Sequence, residues 1–285
     1  PMSGKRAISP ATSELIRLRE LQVGDLESAH ALSVAVGWPH RLSDWRAIFA
    51  VGRGYCAYDA LGRLVATAMW WPMGPGFAMV GMVIVDPGFQ GQGLGRRLMQ
   101  AVMDDAPGRT LQLNSTPSGM KLYETEGFRV VGDIRQLQGI ARPPRREAGS
   151  PLSLRAPVPA DWRAIVRLDR GAFGHDRAEI LRTLTREAHG VVSERQGRIT
   201  GFAFCRASGR GHVIGPVIAD DAAAASALAR SFVAERAGQF LRVDVPVGAP
   251  DFCGAMEECG LHCAGRATTM VKGRPAPRGR RARIF

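Results

Sequence analysis

One pattern constrains the fold more than any other: an internal repeat whose offset shrinks along the chain. Ile16-Arg17-Leu18-Arg19, followed by Asp25, matches Leu152-Ser153-Leu154-Arg155, followed by Asp161, at an offset of 136. Gly62-Arg63-Leu64-Val65 matches Gly197-Arg198-Ile199-Thr200 at 135, and Gly81-Met82-Val83-Ile84-Val85-Asp86 matches Gly215-Pro216-Val217-Ile218-Ala219-Asp220 at 134. Gly127-Phe128 matches Gly260-Leu261 at 133. Each match alone is weak, but four in order read as one duplicated domain with small deletions. A chain of 285 residues agrees with two domains at ~150 residues each. Residues 138–151 carry Arg142-Pro143-Pro144-Arg145-Arg146 and Gly149-Ser150-Pro151 without apolar periodicity, which is linker composition. The division expected is a first domain at 14–140, a linker at 141–151, a second domain at 152–272 and a basic tail at 273–285.

The coarse element order is the same in each half. In the first, the pattern predicts a strand near Glu14–Arg19, a helix capped by Asp25 and running to about Val36, and a second helix after Ser43. Strands follow over Gly54–Tyr58, Arg63–Trp71 and Phe77–Val85, then a helix over Leu94–Asp105 and a strand over Thr110–Asn114. A short helix from Pro117 to Glu126 has Thr116 as its expected N-cap and stops at Gly127, before a last strand over Phe128–Gly132. Strands and helices that interleave in this way imply an α/β (α+β) mixed sheet covered on both faces. Leu64–Val85 is uncharged for 22 residues, long enough to cross a bilayer, but Pro72, Gly74, Pro75 and Gly76 break its middle. It reads as a buried hairpin, and no membrane partner is expected.

The five cysteines (Cys56, Cys205, Cys253, Cys259, Cys263) are odd in number and contain no C-x-x-C, so buried thiols in a reducing cytoplasm are expected, with no disulfide framework and no metal. The first residues, with Lys5, Arg6, Pro10, Thr12 and Ser13, lack the apolar run of a signal peptide. The net charge of +12 raises the question of a nucleic-acid partner. Residues 1–13, 141–147 and 273–285 carry nine of those twelve charges in Pro/Gly-broken arms, so a solvated tail is favoured over a basic binding face.

The most informative residues for chemistry are Val85-Asp86-Pro87-Gly88-Phe89-Gln90-Gly91-Gln92-Gly93-Leu94-Gly95-Arg96-Arg97. A buried strand ends, glycines free the backbone and a helix begins, so the helix amides and dipole make an anion site. Arg96 and Arg97 oppose that dipole unless an anion is bound. The loop lacks the Gly-Lys-Ser/Thr of a Walker loop, and Arg96 stands where the third glycine of a dinucleotide fingerprint belongs. The pattern that fits is Q/R-x-x-G-x-G/A, here Gln90-Gly91-Gln92-Gly93-Leu94-Gly95. This segment resembles the acetyl-CoA signature of the GNAT N-acetyltransferases. Val85-x-Pro87 and Leu122-Tyr123-x-x-x-Gly127-Phe128 agree with that family's pattern as well. The whole chain looks like a tandem-GNAT protein with a divergent C-terminal domain.

The resemblance implies acetyl-CoA as co-substrate. Pantetheine would run along a bulged fourth strand beside Met82, Val83 and Val85. The phosphates would lie on Gln90, Gly91, Gln92, Gly93, Gly95 and Arg96, and Asn114 would touch the cofactor arm. It implies direct attack of a neutral amine on the thioester, with Tyr123 as general acid for the departing thiolate. Many members carry a Glu on the fourth strand as base, but Phe77–Val85 holds no ionisable residue. Trp38, His40, Arg41, Asp44 and Trp45 suit an acceptor pocket for a small amine or amino-acid-like molecule, or equally a helix cap beside core tryptophans. In the second half Ala224, Ala227 and Ala229 replace Gln90, Gly93 and Gly95, so that copy is expected to bind no CoA. Its polar candidates are Phe173-Gly174-His175-Asp176-Arg177 and Asp244, each also readable as a cap or surface group. A non-catalytic acyl-CoA sensor is the alternative to an enzyme, and a monomer and a homodimer are both open.

Overall fold

The computed structural model describes residues 16–142, 152–275 and 282–285. Lys5 and Arg6, most of the expected linker and the tail arginines Arg278, Arg280 and Arg281 lie outside them. The chain packs as two compact units, Pro1–Trp70 with Gly81–Pro107 and Trp71–Val80 with Gly108–Phe285, which do not follow the repeat boundary. The expected hairpin is present as β3 (Leu64–Pro72) and β4 (Phe77–Val85), closed by the Met73 N–H on the Phe77 carbonyl at 2.9 Å. Each of these strands runs from one unit into the other.

In the first unit β1 (Arg17–Glu20) pairs antiparallel with β2 (Arg53–Tyr58), and β2 with β3. Helices α1 (Leu26–Ala35), α2 (Leu42–Phe49) and α3 (Leu94–Asp105) belong to this unit, and α3 buries Leu94, Leu98, Met99 and Val102 along one helical stripe. Asp25 does not cap α1 with its side chain, as expected, but closes the preceding 3₁₀ turn Val23–Asp25. Its buried carboxylate accepts from Arg19 through two bonds of 2.7 Å, from the Gln22 N–H at 2.7 Å and from the Tyr58 hydroxyl at 2.6 Å. The second half builds the same device: Arg155 grips Asp161 at 2.6 and 3.0 Å, and Asp161 takes the Val158 N–H at 2.7 Å. The first of the four repeat matches is therefore a clamp from a strand onto the turn that follows it.

In the second unit β4 pairs in parallel with β5 (Thr110–Ser115). Beyond β5 come β12 (His262–Lys272), β6 (Arg129–Ile140), β11 (Phe240–Pro246), β10 (Gly211–Ala219), β9 (Arg198–Ser208), β8 (His189–Arg195) and β7 (Ser153–Arg155), in that order. The two halves thus exchange strands: β12 of the second half separates β5 from β6, and β6 of the first half separates β12 from β11. Helices α4 (Met120–Thr125), α5 (Trp162–Phe173), α6 (Ala178–Leu184), α7 (Ala222–Glu235) and α8 (Pro250–Glu258) belong to this unit. Leu228, Ala229, Phe232 and Val233 of α7 pack in one apolar core with Ile214, Val243, Phe252 and Leu137.

Three expectations are corrected. The last strand of the first half, expected over Phe128–Gly132, is β6 and runs on to Ile140, because it is hydrogen-bonded to β11 on one edge and β12 on the other and needs no apolar run of its own. The helix expected from Pro117 is a 3₁₀ turn (Pro117–Gly119) followed by α4, and the Thr116 hydroxyl pairs with Ser118 at 3.0 Å instead of capping it. The basic tail is not a solvated arm throughout, since Arg283–Ile284 forms β13 on β10 and Ala282 and Phe285 are buried. Among the cysteines, Cys263 is exposed and the other four are buried.

The Arg19–Asp25 clamp gives stability a pH dependence. Burial pushes the Asp25 carboxyl up, but the bonds from Arg19, Tyr58 and Gln22 outweigh it and hold it down at about 2. The stabilisation is complete above the unfolded value of about 4 and is lost as pH falls through about 2. Asp25→Asn should cost about 2 kcal/mol at neutral pH. In urea titrations across pH 6 to 2, the gap between wild type and variant should narrow below about pH 4.

Candidate active site

In the first unit, β4 is bent where the cofactor strand is expected. Met82 takes φ +51°, a left-handed value rare outside glycine, and its carbonyl is held by the buried Thr67 hydroxyl at 2.8 Å. Pairing of β4 with β5 ends just before, at Val80 opposite Leu113. After Val85 the chain is braced by the Asp86 N–H on the Val65 carbonyl at 2.8 Å. The Asp86 carboxylate accepts from the Gly88 N–H at 2.8 Å, and the ring of Phe89 is buried.

The loop then opens. Gly91 and Gly93 both sit at φ +77°, and a Cβ at either would meet nothing within 4 Å. Glycine is required there by backbone conformation and not by packing, and the space beside both is clear. Gly93 is the N-cap of α3 and provides no side-chain cap. The Gln90 side chain donates to the Val85 carbonyl at 3.0 Å and Gln92 to the Gly88 carbonyl at 3.2 Å, so both shape the loop. Arg96 and Arg97 are both exposed, and the Arg97 guanidinium donates to the Ile16 carbonyl at 3.4 Å.

The second half has no such turn, because Ala224, Ala227 and Ala229 lie inside α7. Asp221 caps α7 with its own carboxylate, which accepts from the Ala224 N–H at 2.7 Å. α7 thus starts ahead of Ala227, the counterpart of Gly93, and its N-cap carries a fixed negative charge. The position of Met82 is taken by Pro216, which has no N–H to offer, although β10 keeps a register break between Ile214 and Val217.

Tyr123 and Asn114 lie in the second unit. Tyr123 is buried, its ring edge-on to Phe128 at 5.9 Å, and burial pushes its hydroxyl up to about 12. The phenol stays protonated at neutral pH, the state a proton donor needs. Gly119 passes directly against this ring: a Cβ there would fall 2.9 Å from Tyr123 Cε2 and 3.3 Å from Ser115 Oγ. This supporting contact has no sequence signal beyond a glycine in a turn. Asn114 is exposed, and its Oδ1 accepts from Thr269 of β12 at 3.0 Å.

The acceptor candidates separate. Trp45 is fully buried and donates to Ser33 Oγ at 3.1 Å, so it is a core residue. Asp44 accepts the Arg41 N–H at 2.8 Å and caps α2. Trp38 and His40 are half-buried and meet edge-to-face at 5.6 Å, beside half-buried Arg41. In the second unit Arg177 forms a two-bond ion pair with Asp169, Asp176 accepts the Ala178 N–H at 3.0 Å and Asp244 pairs with Arg242. His175 behaves otherwise. It stacks on Phe77, the first residue of β4, at 4.0 Å with Phe173 beside them, its Nε2 is buried without a hydrogen-bond partner, and burial lowers its pKa.

A strand bent at Met82, an open glycine turn and an uncapped helix in the first half agree with the resemblance drawn from the sequence. Two family profiles, each described as an acetyltransferase (GNAT) domain, match residues 63–144 and 165–285. The chain belongs to the GNAT acetyltransferases, with two such domains in tandem, and is an acyltransferase of a family that uses acetyl-CoA. The uncharacterized N-acetyltransferase YitH of Bacillus subtilis is 26% identical over 255 residues, covering 87% of this chain and 88% of that protein. A solved Pyrococcus horikoshii protein, a proposed acetyltransferase, superposes with TM-score 0.77 at 17% identity over 97% of this chain and 94% of its own. A tandem GNAT protein from the clavulanic acid biosynthesis pathway gives 0.64 at 15% over 90% and 98%. Among the described residues, no helix is long and apolar enough to cross a membrane.

Gly119→Ala should cost about 1–3 kcal/mol, because the new methyl drives into the Tyr123 ring. Thermal unfolding of the single and double variants checks this: in a Tyr123→Leu background most of that penalty should disappear.

Proposed function

We propose that the first domain, residues 14–140, transfers the acetyl group of acetyl-CoA to the amine of a small-molecule or amino-acid-like acceptor by direct attack in a ternary complex. The second domain, residues 152–272, holds no cofactor in this reading. The observation that carries it is the contrast between the two helix starts: two left-handed glycines and no side-chain cap at α3, a carboxylate cap at α7. Amides of Gly91, Gln92, Gly93 and Gly95, together with Arg96, would hold the pyrophosphate, with Gln90 setting the loop. Met82, Val83 and Val85 would lie along the pantetheine arm and Asn114 beside it.

The amine nitrogen attacks the thioester carbon, and an amide of β4 takes the negative charge of the tetrahedral oxygen. As the C–S bond breaks, Tyr123 gives its proton to the thiolate and the attacking nitrogen loses its own. With no ionisable residue on β4, we assign acceptance of that proton to water or to a group outside the strand. His175 is the candidate favoured by its unpartnered Nε2, its burial-lowered pKa and its stacking on Phe77.

Thiol release measured across a panel of amines, polyamines and amino acids tests the activity; binding of acetyl-CoA with no release on any acceptor would refute it. Gly93→Ala and Gln90→Ala should abolish acetyl-CoA binding by calorimetry, and normal affinity in both would overturn the loop assignment. Tyr123→Phe should lower kcat about 100-fold with little change in acetyl-CoA affinity. His175→Ala should raise KM for the acceptor or lower kcat, and leave KM for acetyl-CoA within about twofold.

A further inference from the structure

β4 and β10 are the same strand of the repeat, 134 residues apart, and each parts from its parallel neighbour at the same point. β4 leaves β5 after Val80, and β10 leaves β11 after Ile214, the equivalent residue. A bend follows in both, at Met82 and across Ile214–Val217. Beyond the bend one edge of β10 stays on β9, with Val217 opposite Ala203 and Ile218 opposite Phe202. The other edge is taken by β13: Ile218 faces Ile284, Ala219 faces Arg283, and the Phe285 N–H donates to the Val217 carbonyl at 3.0 Å.

We propose that the splayed edge of β10 is a strand-binding groove, and that its occupant is this chain's own segment Ala282–Phe285, seated where a pantetheine arm would lie in the first half. The last clause rests on the cofactor placement proposed above. The groove is fitted to this segment beyond its backbone. The Phe285 ring is buried edge-on to Phe252 at 5.7 Å, within the core that includes α7 and α8. Ala282 is buried in a different core, with Ile165, Phe202 and Ile218. Four residues thereby join two apolar clusters, and the Arg283 guanidinium covers the Phe285 ring at 5.2 Å. The ligand class is an extended peptide with a small residue, a basic residue, a β-branched residue and an aromatic in succession. A cofactor entering this half would have to displace the segment, and would then meet Pro216 and the capped start of α7.

The experiment compares the wild-type chain with Phe285→Ala and with Ile284→Pro/Phe285→Ala, by hydrogen exchange, thermal unfolding and acetyl-CoA calorimetry. Both variants should exchange faster across Val217–Ala219 and lose about 5 °C or more in Tm. An Ala-Arg-Ile-Phe peptide at millimolar concentration should slow that exchange in the double variant and leave wild type unchanged. The wild-type chain should bind one acetyl-CoA. Unchanged exchange and Tm in both variants, no effect of the peptide, or two acetyl-CoA per wild-type chain would overturn the proposal. If the cofactor assignment for the first half is what fails, the stoichiometry falls to zero while the exchange and peptide results stand. A double variant too unstable to fold leaves Phe285→Ala to decide the outcome.

Discussion

β12 lies between β5 and β6, and every other relation between the two halves follows from that placement. A strand at the edge of a sheet exposes unpaired amides and carbonyls, and the cheapest partner is another strand. Here β5 is completed by a segment of the second half, and β11 by a segment of the first, so neither half closes its sheet from its own residues. Thr269 of β12 holding Asn114 extends the arrangement to a side chain assigned to the cofactor arm.

The two halves share a skeleton and differ in what their helix starts do with the same dipole. At α3 the backbone is left-handed at Gly91 and Gly93 and carries no side-chain cap, a conformation that costs folding entropy and leaves the first helix amides open. At α7 the Asp221 carboxylate accepts from the Ala224 N–H, which stabilises the helix start. Duplication kept the Arg19–Asp25 and Arg155–Asp161 clamps, which hold strand to turn, and let the ligand chemistry drift.

Legibility followed locality. The strand Phe77–Val85 and the helix Leu94–Asp105 have the expected bounds, because an uninterrupted apolar run and a glycine start are signals carried by neighbouring residues. Residues 138–140 and β13 were illegible because their pairing partners lie about 100 and 65 residues away, and polar or basic composition misstates a strand held by its neighbours. Tryptophans and acids in a loop carry no mark that separates a pocket from a core, and burial assigned Trp45 and Asp44 where composition left both open. His175 against Phe77 depends on contact between the halves, which no window of sequence records.

The exchange of β6 and β12 bears on why a half without a cofactor loop persists. During synthesis β5 waits through some 150 residues before its second neighbour exists, so the central sheet is completed from distant contacts. A deletion that removed the second half would leave β5 paired with β4 alone and β6 without either neighbour. The second half is thereby part of the sheet on which the first half folds, whatever chemistry either half carries.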